Sequence, residues 1–512
     1  MTGPWTSTAG VEIPDLVPAH LRRQWIASGL CPDRDLYRLF TEHVDAHPTR
    51  AAVIDDAGTV SYADLDRLVR AAAHTLREAG LGPRDIIGVR VRNGRLAVVA
   101  ELAAAAIGAV SMPFPSGHGS RDALSLLRRS RASALVATDP LPAAHLRTIH
   151  AFGTTPAPRP REFVDPESPA RILVSSGSET EPKMVAYSHN AFAGGRAAYV
   201  RALHRGDAPM RNLVLVPLSS SFGSCGVPVT VAALGATLIV RERFDPAAAL
   251  RLIEEHRPTH VFGVPTMLDR LAALNTTERP HLTALVSSGA ALPPATRRRC
   301  EAGFGVPVIS VYGSTDGVNC HDATTGRPDP AVATIVITDD TGTPVPPNVP
   351  GEIRARGPMT PLSYVADPAL NAQHRTPDGW VRTGDQGHLD DHGVLHVTGR
   401  LKQVVLRGGR TISPAEVELH LSAHPAIQEA TCVGVPDPDL GERLCACVVV
   451  RPERPRPTLA DLTAYLRTHH DLEPVKLPER LLVLDTLPLG PTGKVCRTTL
   501  ADLAATLNRT AR

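Results

Sequence analysis

The 512-residue sequence has no long apolar run, and only 4% of its residues are aromatic. No stretch could span a membrane, and the N-terminus has no apolar signal core. The 54 lysines and arginines nearly balance the 52 aspartates and glutamates, which leaves a net charge of +2. This balance gives no support for nucleic-acid or anionic-membrane binding. These absences indicate a globular protein with no membrane span.

The eight cysteines form no C-x-x-C pair, although Cys445 and Cys447 alternate like two residues on one strand face. We therefore expect reduced, structural cysteines in a cytoplasmic protein. No predicted strand is followed by G-x-G-x-x-G, which excludes a dinucleotide-dependent oxidoreductase. A chain of this length is too long for one ordinary core and predicts two or more domains.

Strand-like and helix-like segments alternate in the first part of the chain. Ala51–Ile54 is typical of a strand, Ser61–Gly80 of a helix and Asn190–His204 of a second helix. The apolar face of the first helix is predicted to contain Leu65, Leu68, Val69, Ala72 and Leu76. Such alternation predicts an α/β fold with a mostly parallel sheet covered on both faces. From Ala331 to Val397 the chain is rich in short β-like runs, and Arg400–Arg512 is typical of a compact α+β unit.

The segment Leu173–Tyr187 carries the clearest sign of phosphate chemistry. An apolar strand end leads into Ser175-Ser176-Gly177-Ser178 and, a few residues later, Pro182-Lys183. Backbone N–H groups and hydroxyls of such a loop can surround an anion, and a lysine adds a mobile positive charge. The loop is not a Walker loop, because the G-x-x-x-x-G-K-[ST] spacing is absent. A polar surface turn is the alternative interpretation.

Two further loops follow predicted strands. One is Ser287-Ser288-Gly289-Ala290, and the other is Tyr312-Gly313-Ser314-Thr315-Asp316. In doubly wound sheets, ligands bind at the carboxyl ends of the strands. The second loop offers an aromatic face for a base, a hydroxyl for a phosphate and a carboxylate for Mg²⁺.

In sequence order these loops resemble the motifs of AMP-forming acyl-adenylate ligases, a family that includes acyl-CoA synthetases and stand-alone adenylation enzymes. The serine-rich loop departs from the family pattern at Glu179, Thr180 and Met184, and Asp316 replaces the family's glutamate. The resemblance implies that the nucleotide is bound by Ser175, Ser176, Gly177, Ser178, Thr180, Lys183, Ser288, Gly289, Ala290, Tyr312, Gly313, Ser314 and Thr315. It further implies that Thr315 contacts the AMP phosphate during catalysis and that Asp316 holds Mg²⁺.

Three later motifs extend the resemblance over most of the chain. Trp380–Asp385 resembles the Thr-Gly-Asp motif, and Gly399–Glu418 resembles the hinge and hairpin motif. Pro488–Arg497 resembles the terminal motif, whose lysine is Lys494. The resemblance implies that Asp385 and Arg400 contact the ribose, that Gly408 and Gly409 form a hairpin tip entering the site, and that Lys402 is the hinge. Lys494 would stabilise negative charge during adenylation.

The fold implied is a large N-terminal region of layered α/β subdomains plus a β-rich subdomain, with a small mobile α+β C-terminal domain. We expect residues 1–399 to form the AMP-binding domain and residues 400–512 the C-terminal domain. The implied reaction uses ATP and Mg²⁺ to convert a carboxylic acid into acyl-AMP and pyrophosphate. The small domain then rotates about Lys402, and a thiol attacks the acyl-AMP.

The identity of the acid is only partly constrained. The segment Pro217–Gly226 has no acidic residue where amino-acid-activating domains present an aspartate, so an α-amino acid is disfavoured. The predicted pocket consists of Ser220, Phe222, Gly223, Val264, Ser287 and Val318. Phe222 can also be interpreted as ordinary core, and His189 is expected to be a helix-start histidine rather than a base.

The acceptor thiol is expected in trans, because no carrier segment follows within the sequence. Coenzyme A is our first expectation, and the phosphopantetheine of a separate acyl or peptidyl carrier protein is the alternative. An alternative of another class is a degenerate nucleotide-binding protein, suggested by the altered loop residues Glu179, Thr180 and Met184. The retained Lys494 and Arg400 argue against that alternative.

Overall fold

A computed structural model describes residues 4–510, except residues 118, 142–145, 156, 161–163, 176–181, 205–207, 276–280, 291, 316–317, 320–325, 402, 409, 471 and 491–494. The chain forms two compact units. Unit 1 contains Met1–Gly289, Cys300–Val336 and Arg354–Thr383, and unit 2 contains Ala290–Arg299, Ile337–Ile353 and Gly384–Arg512. The expected boundary at residues 399 and 400 stays a prediction, as does the hinge at Lys402, which lies outside the described residues.

Helices cover much of both units. The α-helices are α1 Ala19–Ala27, α2 Leu36–Ala46, α3 Tyr62–Glu78, α4 Arg95–Ala106, α5 Ser120–Arg129, α6 His189–Ala191, α7 Ala197–Ala202, α8 Pro246–His256, α9 Pro265–Leu274, α10 Pro294–Phe304, α11 Pro368–His374, α12 Pro414–Leu421, α13 Leu459–His470 and α14 Arg497–Thr510. Phe192–Arg196 and Gly226–Ala233 are π-helical, and Phe222–Cys225 and Pro474–Lys476 are 3₁₀ turns.

The strands are short, and most have four to six residues. They are β1 Trp5–Thr6, β2 Glu12–Ile13, β3 Ala51–Asp55, β4 Gly58–Ser61, β5 Ile86–Arg90, β6 Val110–Pro113, β7 Ala134–Ala137, β8 Arg147–Ile149, β9 Pro169–Val174, β10 Met184–Ser188, β11 Arg211–Val214, β12 Thr237–Val240, β13 His260–Gly263, β14 Ala284–Ser288, β15 Val308–Val311, β16 Gly313–Ser314, β17 Val318–Asn319, β18 Thr334–Thr338, β19 Gly351–Arg356, β20 Ser363–Tyr364, β21 Val381–Leu389, β22 Leu395–Arg400, β23 Val405–Arg407, β24 Arg410–Ile412, β25 Ile427–Asp437, β26 Gly441–Val450 and β27 Arg480–Leu484.

The strand–helix alternation of unit 1 produces two seven-stranded sheets, where the sequence predicted a parallel sheet without indicating a division. The first has the order β20-β10-β9-β6-β5-β7-β8, and the second has the order β15-β14-β13-β11-β12-β3-β4. Neighbouring strands of the second sheet are parallel except for the hairpin of β3 and β4. In the first sheet, β10 is antiparallel to both β9 and β20. The α/β fold class is confirmed.

Helix α3 shows why the sequence pattern succeeded and where it failed. The Ser61 hydroxyl caps the helix by accepting from the Asp64 N–H, and Gly80 follows it with φ of +79°. Four of the predicted face residues are buried, but Leu68 is 38% exposed. At 100° per residue Leu68 lies at the edge of the apolar stripe, so its position on the buried face was wrongly predicted.

The predicted helix over Asn190–His204 is divided. Helices α6 and α7 are separated by the π-helical turn Phe192–Arg196. Two glycines of this turn pack against other backbone. A Cβ atom on Gly194 would lie 2.7 Å from the Leu30 carbonyl oxygen, and one on Gly195 would lie 2.4 Å from the Met359 nitrogen. This close packing accompanies a wider helical turn that periodicity alone does not predict.

Unit 2 contains a five-stranded sheet with β24-β23-β26-β25 in order and β27 parallel to β26. Cys445 and Cys447 are both buried on one face of β26, as their spacing predicted. The seven cysteines that lie among the described residues are free. None of the helices in the described part of the chain is long and apolar enough to cross a membrane.

Candidate active site

The carboxyl ends of four parallel strands meet at one edge of the second sheet of unit 1. The register pairs Val214 of β11 with Phe262 of β13, and Gly263 of β13 with Ser287 of β14. Ser288 of β14 pairs with Val311 of β15. The segments that follow these strands therefore emerge side by side, because parallel strands end on the same side of a sheet. They contain most of the predicted acid and adenine contacts of unit 1.

The turn after β14 is held to its neighbouring strand by a side chain. The buried Ser288 hydroxyl donates to the Val311 carbonyl oxygen at 2.9 Å. Gly289 has φ of +92°, a conformation that favours glycine, and Ala290 is exposed. The Ser288 hydroxyl is engaged in this bond, and Gly289 and Ala290 have no polar side-chain atoms. The polar groups that this turn offers a ligand are therefore those of its backbone.

The loop after β15 is held from the other sheet of unit 1. The Tyr187 hydroxyl, on β10, donates to the Thr315 carbonyl oxygen at 3.1 Å. Ser314 is buried, whereas Tyr312, Gly313 and Thr315 are half-buried. Asp316 lies outside the described residues, and Val318 is described only as part of the backbone of β17. Among the described residues, no group of three or more His, Cys, Asp or Glu could hold a metal ion.

The serine-rich loop is the turn of the antiparallel hairpin β9–β10. Its base is closed by two hydrogen bonds between the same two residues. The Ser175 N–H donates to the Lys183 carbonyl at 2.9 Å, and the Lys183 N–H donates to the Ser175 hydroxyl at 3.0 Å. Ser176, Gly177, Ser178 and Thr180 lie outside the described residues. The serine-rich loop thus belongs to the first sheet of unit 1, and the loops after β14 and β15 belong to the second. The hydrogen bond from Tyr187 to Thr315 connects the two sheets.

The segment Pro217–Gly226 follows β11 and turns sharply. The Ser220 hydroxyl donates to the Pro217 carbonyl at 2.7 Å and accepts from the Gly223 N–H at 2.9 Å. A Cβ atom on Gly223 would lie 1.9 Å from the Pro217 carbonyl oxygen, so only glycine fits this turn. The Phe222 ring is half-buried, with its centroid 6.0 Å from that of Phe262. Val264 and Ser287 are buried nearby on the ends of their strands.

Two buried arginines hold this same segment, and the sequence analysis did not identify either. Arg171 Nη2 donates to the Leu218 carbonyl at 2.6 Å, and Arg196 Nη1 donates to the Ser221 carbonyl at 2.7 Å. A signal was present for Arg171, because it interrupts the otherwise apolar strand β9, where a charged residue needs a specific partner.

His189 behaves as expected of a helix-start histidine. It is the first residue of α6 and is buried, and its Nδ1 accepts from the Leu36 N–H at 3.1 Å. Burial lowers the pKa of His189 to about 3. The ring is therefore neutral at pH 7, and its hydrogen bond is structural.

In unit 2, Asp385 and Arg400 face each other across the antiparallel strands β21 and β22. Arg400 Nε lies 2.9 Å from Asp385 Oδ1. The Asp385 side chain is 4% exposed and that of Arg400 is 50% exposed. The arginine thus orients a carboxylate whose oxygens are the acceptors that ribose hydroxyls require.

The predicted hairpin tip also belongs to unit 2. Arg407 and Arg410 pair at the ends of the antiparallel strands β23 and β24. Gly408 is exposed with φ of +55°, and its N–H donates to the Leu440 carbonyl at 2.8 Å. Gly409 lies outside the described residues, and so does Lys494.

Two of the predicted motifs of unit 2 are joined by an ion pair. Arg497 donates from Nη1 and Nη2 to the Glu418 carboxylate at 2.6 and 2.8 Å. Arg497 Nη1 also donates to the Cys432 carbonyl at 2.7 Å, and Glu418 accepts from the Cys432 N–H at the same distance. These bonds fix the residue three positions after Lys494 to the end of the hairpin motif and to β25.

Two family models match most of the chain. Residues 40–365 match the AMP-binding enzyme family, and residues 416–494 match the AMP-binding enzyme C-terminal domain. The chain belongs to the AMP-binding enzyme family. It is therefore an adenylate-forming enzyme of the AMP-forming acid–thiol ligase class, and the recognition made from the sequence motifs is confirmed.

Relatives of this AMP-binding enzyme cover nearly its whole length. The salicyl-AMP ligase / salicyl-S-ArCP synthetase of Mycobacterium tuberculosis is 30% identical, over 93% of this chain and 92% of its own. A salicylyl-CoA synthase / salicylate adenylyltransferase of a Streptomyces species is 30% identical, over 95% and 96%. The solved amide bond synthetase McbA of Marinactinospora thermotolerans is 29% identical with a TM-score of 0.79, over 91% and 99%.

Proposed function

We propose that this enzyme uses ATP to activate a carboxylic acid as acyl-AMP, releasing pyrophosphate, and then transfers the acyl group to a thiol, with coenzyme A as the first candidate. The observation that supports this most is that the strand-end loops of unit 1 lie within the AMP-binding enzyme match at residues 40–365. The Asp385–Arg400 pair, which lies between the two family matches, adds a carboxylate suited to ribose hydroxyls. Adenylation makes the acyl carbon electrophilic, because AMP is a good leaving group.

The proposed nucleotide contacts follow from the chemistry of the groups present. The turn Ser288–Ala290 and the half-buried Tyr312 would lie against the adenine, while Asp385, oriented by Arg400, would accept from the ribose hydroxyls. Thr315 and the loop from Ser175 to Lys183 would surround the phosphates. Mg²⁺ would neutralise phosphate charge during adenylation, and Asp316 is the proposed ligand.

Lys494 is proposed to stabilise the charge that builds up when the carboxylate attacks the α-phosphorus. Replacing Lys494 by alanine should lower the rate of adenylation by orders of magnitude and leave thioester formation from supplied acyl-AMP nearly intact. Equal loss of both half-reactions would contradict this role.

Lys402 is proposed as the hinge. Lys402→Pro should preserve adenylation and lower the rate of thioester formation, because proline restricts the backbone rotation that a hinge requires. An unchanged second half-reaction would remove Lys402 from this role. Asp316→Ala should raise the Mg²⁺ concentration that adenylation requires, and an unchanged Mg²⁺ titration would exclude Asp316 as a ligand.

The acceptor has two candidates, since the names of the two salicylate-activating relatives include both a carrier-protein and a coenzyme A product. The deciding experiment is pyrophosphate exchange against fatty, alicyclic, aryl, β-amino and α-amino acids, each with and without coenzyme A. Acyl-CoA formation would support the first candidate, and exchange without acyl-CoA would favour a carrier protein. ATP binding without exchange for any acid would contradict the proposed function and favour the degenerate binding protein.

A further inference from the structure

Arg196 is an unusual residue of unit 1, since it is among its largest fully buried side chains and only 2% exposed. It ends the π-helical turn Phe192–Arg196, which packs closely through Gly194 and Gly195. Its guanidinium carbon lies 5.5 Å from the Tyr187 ring centroid and 5.6 Å from that of Phe192. The two ring centroids are themselves 5.3 Å apart, so the guanidinium lies beside a pair of aromatic rings that are in contact with each other.

One nitrogen of this guanidinium is fully engaged by the proposed acid-pocket segment. Nη1 donates to the Ser221 carbonyl at 2.7 Å and to the Ser224 hydroxyl at 2.5 Å. Nε and Nη2 are buried and form no hydrogen bond of regular geometry with the described residues. These two nitrogens form the side of the guanidinium that binds a carboxylate with two parallel hydrogen bonds. Burial lowers the pKa of Arg196, and the neighbouring Tyr187 and Cys225 side chains oppose this shift.

The charge around Arg196 is also incomplete. No described carboxylate forms an ion pair with it, and the nearby Glu101 pairs with Arg171 at 3.0 Å instead. Burial lowers the pKa of Arg171, the Glu101 carboxylate opposes this shift, and the Arg196 charge adds to it. Arg171 therefore has a carboxylate partner, whereas Arg196 forms no ion pair with a described carboxylate. A buried cation without an anion is costly.

We propose that Arg196 binds a second oxygen group of the acid substrate, a carboxylate or a phenolic hydroxyl, through Nε and Nη2. The inference rests on the proposed acid-activating function, which places the substrate at Ser220–Gly223. Both nitrogens are covered by protein in this structure, and the segment bonded to Nη1 of the same guanidinium includes the half-buried residues Ser220, Ser221 and Phe222. A shift of this turn would admit the substrate's second group to the guanidinium edge.

The test compares pyrophosphate exchange within matched pairs of acids: glutarate with pentanoate, adipate with hexanoate, and isophthalate and 3-hydroxybenzoate with benzoate. For at least one pair, kcat/KM should be about 10- to 100-fold higher for the acid with the second oxygen group, as expected of a charge-assisted hydrogen bond. Arg196→Met should abolish this preference, and Arg196→Lys should restore part of it. The KM for ATP should not change.

Arg375→Met is the matched control. Arg375 is also buried, also donates from Nη1 to a carbonyl, that of Pro361 at 2.9 Å, and has the same two nitrogens without a described partner. It forms no described hydrogen bond with the acid-pocket segment, so its replacement should lower stability without changing the ratio between paired acids. The proposal would be overturned if Arg196→Met lowered kcat/KM equally for all acids. It would also be overturned if the wild type showed no preference for acids with a second oxygen group.

A second readout separates the inference from the proposed function. The acids with a second oxygen group, added with ATP, should raise the thermal unfolding temperature of the wild type more than the matched acids without that group. This difference should vanish in Arg196→Met. This holds whether or not turnover occurs. Exchange with unsubstituted acids alone would support the proposed function and overturn the role of Arg196. The aromatic pairs distinguish a carboxylate from a hydroxyl as the bound group.

Discussion

The two units treat charge differently. In unit 1 the Arg171–Glu101 pair has side chains only 2% and 5% exposed, and burial raises the pKa of Glu101 to about 7. In unit 2, Arg443 pairs with Asp437 and Glu479 while its own side chain is 30% exposed. The Arg443 side chain keeps some exposure to solvent, whereas both side chains of the Arg171–Glu101 pair are almost fully covered. Desolvation therefore opposes the Arg171–Glu101 pair more strongly than the pairs of Arg443.

This difference indicates that buried charged residues deserve examination for function before partly exposed ones. A half-exposed ion pair on the β25–β26 hairpin is explained by the strands that it joins. A buried pair is weak evidence for stability, because apolar residues of similar size can replace it at no loss. In unit 1 the buried arginines bond to carbonyls of the segment Pro217–Gly226, so holding that segment is the physical reason we infer for them.

The largest expected effect comes from breaking the buried pair. Glu101→Ala should destabilise unit 1 by about 3–5 kcal/mol, since it leaves the Arg171 charge buried and unpaired. Unfolding should be followed by tryptophan fluorescence at pH 8, where Glu101 is ionised, because Trp5, Trp25 and Trp380 all belong to unit 1. The control is Glu101→Leu with Arg171→Met, which removes both charges and should recover most of the loss. If the double variant were as unstable as Glu101→Ala, packing rather than charge would explain the effect.

The next effect is a dependence on pH that arises from His189 of unit 1. The folded pKa of His189, about 3, lies below its unfolded value of 6.5, so the unfolded chain binds the proton more tightly. The stability associated with the neutral ring is fully present above pH 6.5 and declines as the pH falls towards 3. At about 1.4 kcal/mol for each pH unit, several kcal/mol are involved.

His189→Asn keeps an acceptor for the Leu36 N–H and removes the titration. Its unfolding free energy, measured by tryptophan fluorescence from pH 4 to 7, should therefore vary less than that of the wild type. Parallel curves for the two proteins would show that His189 does not account for acid sensitivity.

A smaller effect is expected in unit 2 at the Arg497–Glu418 pair. Glu418→Gln should destabilise that unit by about 1–3 kcal/mol, because the Arg497 charge loses its anionic partner and one of the two acceptor oxygens is replaced by an amide nitrogen. Unit 2 contains no tryptophan, so hydrogen exchange of β25 measured by mass spectrometry is the suitable probe. Arg497→Lys, which keeps the charge and loses the two parallel bonds, should cause a comparable loss. Unchanged exchange in both variants would exclude this pair from stabilising the unit.

The smallest effect should follow Arg443→Met, because the Arg443 side chain is 30% exposed and that of its partner Glu479 is 21% exposed. Hydrogen exchange of β26 should increase slightly at low salt, and the increase should disappear as salt screens the pair. An effect as large as that of Glu101→Ala, or one that salt does not change, would remove the contrast between the units.

Local pattern predicted much of this structure because short-range physics decides it. Helix α3, predicted over Ser61–Gly80, spans Tyr62–Glu78, and the shared face of Cys445 and Cys447 follows from the two-residue period of a strand. The family motifs were readable because each is a short run of residue types that a nucleotide site requires. The positions of the predicted site residues stay partly untested, since Asp316, Lys402 and Lys494 lie outside the described residues.

The sequence by itself determined the α/β class, most of the elements and the family. Tertiary structure alone decided that the strands of unit 1 divide into two sheets, that Tyr187 of one sheet holds Thr315 at the edge of the other, and that Glu418 binds Arg497. It also decided that Arg196 is buried against Ser221. These contacts join residues 25 to 128 positions apart, so they depend on how elements pack and leave no periodic signal in the chain.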